Sequence, residues 1–157
     1  MKSNHNNNND PMETVSSIPD GYHTVTPYLV VSDVKGLLDF IEKGLDGKTV
    51  SAMKADDGSI IHATVRIGDS MIMAGSKMDD NKEAPAMLYL YVDDVDALYS
   101  KATKVKGTKM TREPKDEVYG DRAGCVTDAW GNQWWIATHV EDVSEDELKR
   151  RSDANRK

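Results

Sequence analysis

The chain has 157 residues, 38% hydrophobic and 30% charged, the make-up of one soluble domain long enough to bury its own core. Its formal charge of −7, with Lys and Arg scattered along the chain, argues against nucleic acid and anionic lipid as partners. The single cysteine, Cys125, cannot close an intrachain disulfide, and no apolar run has the length of a membrane span or secretory leader, so a cytoplasmic protein is expected.

Residues 1–21, with the tract Asn6-Asn7-Asn8-Asn9, carry too little apolar surface to offset the entropy of ordering and read as a disordered tail. His5, among those asparagines, reads as solvent-exposed rather than as part of a metal tract. Residues 24–31 are β-branched and apolar, a strand that enters a helix at Ser32 or Asp33, either of which can accept hydrogen bonds from first-turn N–H groups. Val34, Leu37, Leu38, Ile41 and Leu45 then follow helical spacing, and Gly47 ends the run. Strands are predicted at 49–54 and 60–67 around the hairpin turn Asp56-Asp57-Gly58, and Gly68-Asp69 turns the chain into another at 71–74. Residues 76–84 are polar and form a junction.

After the junction the pattern starts again. A strand at 86–92 leads to the stripe Val95, Leu98, Tyr99, Ala102 and Val105, ended by Gly107, and three strands fit 109–113, 122–127 and 133–138. Ser144 and Glu147 have capping-box spacing, so a short helix is expected from 145 to about 151, within a terminal segment 143–157. Leu29-Val30-Val31-Ser32-Asp33-Val34 is repeated as Leu90-Tyr91-Val92-Asp93-Asp94-Val95, with 61 positions between Asp33 and Asp94. That period is too long for a solenoid and too short for two independent domains. The predicted fold is therefore α+β: two βαβββ modules, at about 22–76 and 85–142, forming a curved mixed sheet around a common cleft.

Strand side chains alternate, so one face of each strand covers its helix and the other lines the cleft. Apolar alternation assigns Ala63, Val65 and Ile67 to the helix and His62, Thr64 and Arg66 to the cleft. Leu88, Leu90 and Val92 go to the helix and Met87, Tyr89 and Tyr91 to the cleft; Trp134 and Ile136 go to the helix and Gln133, Trp135, Ala137 and His139 to the cleft. An aromatic face with a few polar heads suits a small-molecule site.

These residues resemble a known family. The paired helix openings Val-Ser-Asp-Val and Val-Asp-Asp-Val, with Tyr119-Gly120-Asp121-Arg122 running through to Asp128-Ala129-Trp130-Gly131-Asn132-Gln133-Trp134, resemble the vicinal oxygen chelate superfamily of glyoxalases, bleomycin-resistance proteins and extradiol dioxygenases, in its PhnB-like branch. The resemblance covers residues 22–142. It implies the paired-module fold, a small-molecule ligand and a homodimer. Metal-dependent members place His, Gln or Glu at positions that fall near Thr26, Met73, Met87 and Trp135, and none of these is a ligand for a divalent cation. A slipped register would have to recruit His23, His62 or His139, and no set of three with a carboxylate is evident. No metal and no other cofactor is therefore expected.

Each candidate carries two readings. His62 is a general base or a hydrogen-bonding strand histidine at the rim, with Thr64 and Arg66 sharing its face. Arg122 offers its fork to an anionic ligand or pairs internally with Asp121, Glu117 or another carboxylate. Tyr89, Tyr91 and Trp135 form a stacking wall or fill the groove as core. Met53, Met71, Met73, Met78, Met87 and Met110 are adaptable filler, Cys125 an inert buried thiol, and Asp128 a turn residue bonding backbone amides. The favoured function is metal-independent binding of a small, anionic or aromatic compound by a homodimer, with His62-assisted proton transfer if a reaction occurs. A metal-dependent lyase, isomerase or dioxygenase of the glyoxalase kind, and a non-catalytic structural or regulatory dimer, are the alternatives.

Overall fold

The computed structural model of the chain describes residues 15–77 and 84–154. His5, the asparagine tract, Met78 and most of the predicted junction lie outside them. In chain order the elements are β1 (Tyr28–Val31), α1 (Val34–Gly44), β2 (Lys48–Lys54), β3 (Ile60–Ile67), β4 (Ser70–Ser76), β5 (Met87–Tyr91), α2 (Val95–Thr103), β6 (Lys109–Asp116), β7 (Asp121–Thr127), β8 (Gln133–His139) and α3 (Glu145–Ala154). The fold is α+β, two βαβββ modules followed by a terminal helix. None of the described helices is long and apolar enough to cross a membrane.

Each module forms a four-stranded sheet of the same topology, β1-β4-β3-β2 and β5-β8-β7-β6. In each the first strand runs parallel to the last and the other pairs are antiparallel. The repeat extends to side-chain register: Tyr28 lies opposite Met73, and Tyr89 opposite Trp135. Both helices open on the same cap. Asp33 accepts from Gly36 N at 2.9 Å and Asp94 from Ala97 N at 3.0 Å, each on extended backbone at the cap. β1 starts at Tyr28, later than the sequence pattern suggested, because Pro27 has no N–H to give a ladder; its carbonyl accepts from Met73 N at 2.9 Å. β6 runs on through Pro114, tolerated because β6 is an edge strand with two register irregularities.

The helix-facing sides of both modules join in one core. Leu29, Val31, Leu37, Ile41, Ala63 and Val65 of the first module pack with Val95, Leu98, Val126, Trp134 and Ile136 of the second. Phe40 of α1 reaches across to Trp134 of β8, with ring centroids 5.9 Å apart. The helices touch where a Cβ on Gly44 would lie 3.2 Å from Ala102 Cα. Trp134 is fully buried, worth about 4–6 kcal/mol as an upper bound at roughly 25 cal/mol per Å². Its indole N–H donates at 3.0 Å to Asp128, which also accepts from Trp130 N and Asn132 N and so organises the β7–β8 turn.

Because the helix sides are joined, the opposite faces of the two sheets lie outside the shared core. Within one chain the expected cleft lining is thus divided between two outer faces. The terminal helix buries no residue and is held by Arg151, which pairs with Glu141 at 2.8 Å and Glu147 at 2.7 Å. Ser144 Oγ accepts from Glu147 N at 3.3 Å, the first half of the expected capping box. The Glu147 carboxylate instead takes up Arg150 and Arg151.

Candidate functional site

The outer face of the second sheet carries two adjacent rows of side chains that packing alone does not require. Strand register sets Arg112, Cys125, Trp135 and Tyr89 side by side across β6, β7, β8 and β5. Trp135 and Tyr89 are nearly parallel, 8° between planes and 6.2 Å between centroids. The Arg112 guanidinium carbon lies 5.3 Å from the Trp135 ring centroid, a cation–π placement, and the same guanidinium pairs with Glu117. The Trp135 indole N–H is buried with no partner among the described residues. Cys125 is fully buried, and burial pushes its thiol pKa up, so it contributes shape rather than reactivity.

The second row centres on Asp121, only 2% exposed. Its Oδ2 accepts from the hydroxyls of Tyr89 and Tyr91, both at 3.0 Å, and its Oδ1 lies 2.8 Å from His139 Nδ1. His139 Nε2 is in turn 2.8 Å from Asp142 Oδ1, and Tyr119 Oη is 3.4 Å from Tyr89 Oη. A neutral imidazole has one N–H; two carboxylates on its two nitrogens require the protonated ring. Accordingly Asp142 first, then Asp121, raise the His139 pKa. Burial would push the Asp121 carboxyl up, but hydrogen bonds from His139, Tyr91 and Tyr89 hold it below the usual carboxylate range. Tyr89 is raised by burial, then by Tyr119 and Asp121; Tyr91 is raised chiefly by its bond to Asp121. The turn into β7 depends on Gly120, at φ +97 with its would-be Cβ 2.0 Å from Glu141 O, a position no other residue fits.

The outer face of the first module is different. His62 stands beside Tyr28, ring centroids 5.7 Å apart, and its ring makes no hydrogen bond among the described residues. Thr64 is 3% exposed because the segment ahead of β1 crosses this face: Tyr22 Oη lies 3.0 Å from Thr64 Oγ1. A Cβ on Gly21 in the same segment would meet Met71 at 3.1 Å. Arg66 is exposed without an ion pair among the described residues.

The structure therefore brings Tyr89, Tyr91 and Trp135 together on one face and puts His62, Thr64 and Arg66 together on another. Arg122 joins neither: of its two readings the structure shows internal pairing, with carboxylates other than Asp121 and Glu117. Asp121 occupies the outer face, so its neighbour must point to the helix side, where Arg122 holds Asp96 through Nε and Nη2 at 2.8 and 2.9 Å and Asp116 at 3.2 Å. A groove of about 1170 Å³ runs between the modules, from His23, Val25 and Met71 to the β5 edge, and of the sequence candidates it takes in Tyr89 and Tyr91. Sequence reasoning missed Arg112, Tyr119 and Asp121 as members of the site and left His139 as a face residue.

A family model for the Glyoxalase/Bleomycin resistance protein/Dioxygenase superfamily matches residues 21–136, most of the chain. The chain belongs to that superfamily. Among other proteins, Mb0911c of Mycobacterium bovis is 31% identical over 136 residues, covering 80% of this chain and 89% of that one. Rv0887c of Mycobacterium tuberculosis is likewise 31% identical over 136 residues, covering 80% and 79%. Of solved structures, TioX from Micromonospora sp. ML1 superposes with a TM-score of 0.64 at 20% identity, over 74% of this chain and 98% of TioX. The PhnB protein of Bacillus cereus gives 0.59 at 17% identity, over 74% and 99%. Those two likenesses speak for the fold.

The positions at which the resemblance implies metal ligands hold unsuitable groups in this superfamily member. Met73 lies opposite Tyr28, Met87 is 65% exposed, Trp135 is stacked, and the Thr26 hydroxyl donates to His23 O. Among the described residues no three His, Cys, Asp or Glu side chains converge. Asp121 and Asp142 approach opposite nitrogens of one imidazole and so cannot close on a common ion. The donor set does not fit a divalent metal.

Proposed function

We propose that this superfamily member binds a small, flat, negatively charged compound on the outer face of its second module, without a divalent metal, as a homodimer. The observation that carries the reading is the row Arg112, Trp135, Tyr89: two near-parallel rings offer a face for a planar body, and the guanidinium, whose Nη2 holds Glu117, keeps Nε and Nη1 without a partner among the described residues for its anionic group. The partnerless Trp135 N–H supplies a donor for a ligand oxygen. Tyr91 completes the wall, tilted 54° to Tyr89.

The dimer is supported by what one chain leaves open. β1 and β5 are both sheet edges, and Tyr28, Met87, Tyr89 and Tyr91 are 51, 65, 41 and 65% exposed beside them. Pairing β5 with β1 of a second chain would join two four-stranded sheets into one curve. That would recreate the predicted common cleft and bring His62 of the partner subunit to its opposite wall together with Arg66 of the partner subunit, while Thr64 stays sealed beneath Tyr22.

The reading is tested by thermal shift against a panel of aromatic carboxylates, with and without chelator, together with light scattering. The expected result is a dimer whose melting point rises with ligand in wild type, not in Trp135→Ala, and is indifferent to chelator. A monomer, an equal rise in Trp135→Ala, or about one tightly held Ni, Zn, Fe or Mn per chain that is lost together with ligand binding on chelation overturns it.

A further inference from the structure

A second concavity lies on the helix side of the molecule, away from either outer face. It is a groove of about 640 Å³ between α1, the end of α2 and the β7–β8 turn, floored by Phe40, Val105 and Trp130. The floor is fixed. Trp130 N donates to Asp128 at 2.9 Å, and the indole lies so close over Gly36 that a Cβ there would come within 2.8 Å of it.

The rim is basic in an acidic protein. Lys43, Lys101, Lys104 and Lys106 line the groove in a chain of net charge −7. Lys101 is taken by Asp46, while Lys43, Lys104 and Lys106 have no ion pair among the described residues. The two carboxylates in the lining are already committed: Asp33 caps α1 and Asp39 holds Lys35 at 2.8 Å. Asp33 also stands ten residues from Lys43 along α1, about 15 Å at 1.5 Å per residue. The Thr108 hydroxyl is buried in the same lining with no partner among the described residues, a donor that a ligand oxygen would satisfy.

Lysines complement helix C-termini on many proteins, and that accounts for one or two cations at these helix ends. It does not account for three uncommitted ones gathered on an aromatic floor in a concavity of small-molecule size. We propose that this interhelical groove is a second binding site, for a phosphorylated small molecule whose flat apolar part lies on Trp130 and whose phosphate meets Lys43, Lys104 and Lys106. It is independent of the outer-face site and stands or falls separately.

The test titrates phenyl phosphate, inorganic phosphate and phenol into the isotope-labelled full chain at low salt, following backbone amides 104–108 and the Trp130 indole by NMR. Phenyl phosphate is expected to shift these signals saturably, phosphate more weakly and phenol least. Lys104→Gln with Lys106→Gln, both exposed and tolerant of change, should weaken phenyl phosphate about tenfold, roughly the loss of two partly screened contacts. Non-saturating shifts at these signals, or equal affinity in the double lysine variant, would each overturn the proposal.

Discussion

Replacing Asp121 with alanine tests whether the tyrosine–histidine cluster holds β5 and β8 onto β7. The carboxylate accepts three hydrogen bonds, from Tyr89, Tyr91 and His139, at 3.0, 3.0 and 2.8 Å. Bonds to a charged group contribute about 1.5 kcal/mol or more each, roughly 5 kcal/mol in all. Two effects reduce the net loss. Alanine removes the cost of burying a carboxylate, and the abandoned partners turn to water, since Tyr89, Tyr91 and the His139 side chain are 41, 65 and 50% exposed. A net destabilisation of about 2–3 kcal/mol remains, a fall in Tm of about 4–12 °C for a chain of this size. Urea and thermal unfolding followed by circular dichroism at pH 7 measure it. Combined with His139→Gln, the double variant should be less destabilised than the sum of the singles, because both remove the same contact. A loss under about 0.5 kcal/mol, well below one charged hydrogen bond, or strict additivity would show the cluster to be decorative.

The same cluster sets a pH dependence. The His139 pKa is raised in the folded chain by Asp142 and Asp121, so its bound proton stabilises the fold fully below the ordinary histidine value and the contribution is lost as pH rises through the raised one. Wild type should therefore lose stability from near neutral into mildly alkaline pH, a decline that His139→Gln lacks when urea midpoints are compared between pH 6 and 9. Asp121 works in the other direction: its pKa is depressed, so its contribution is lost only as pH falls through that lowered value in acid. Arg122→Ala breaks pairs to Asp96 and Asp116 whose side chains are 57 and 78% exposed, so Tm should move little and the response to aromatic carboxylates should not change. A lost ligand response in Arg122→Ala would place that guanidinium at the site after all.

What was legible in the sequence was what repeats locally. Asp33 and Asp94 announce helix starts, and the apolar stripes after them need only the 3.6-residue period. In β5 strict alternation sends Leu88 and Leu90 inward and leaves Met87, Tyr89 and Tyr91 exposed. Alternation fails where two charged residues adjoin. Asp121 and Arg122 carry no apolar cue to say which faces out, and the decision rests on partners far along the chain: His139 for one, Asp96 for the other. Arg112 and Trp135 meet only because β6, β7 and β8 pair in a register with irregularities in β6, which no period in the sequence encodes. Tyr22 fell just beyond the expected tail, and nothing local says that it reaches Thr64.

The two modules share a backbone plan yet have diverged on the faces where a ligand would lie, and the divergence is graded by position. Near the start of the paired strands both keep an aromatic, Tyr28 opposite Met73 and Tyr89 opposite Trp135. One step along, His62 opposite Gly75 in the first sheet corresponds to Ala123 opposite Ala137 in the second, and only the second continues to the pair Asp121 and His139. The first module spends part of its outer face on its own chain, with Tyr22 sealing Thr64; the second fastens its tyrosines to a buried carboxylate and leaves the rings open. Tyr hydroxyls pinned at one end would lose little further freedom if a ligand stacked against the ring as proposed, so the Asp121 cluster would lower the entropic cost of that binding without touching the ligand. Asp121→Ala should then weaken an aromatic ligand that it never contacts, with the loss in affinity following the loss of order in Tyr89 and Tyr91.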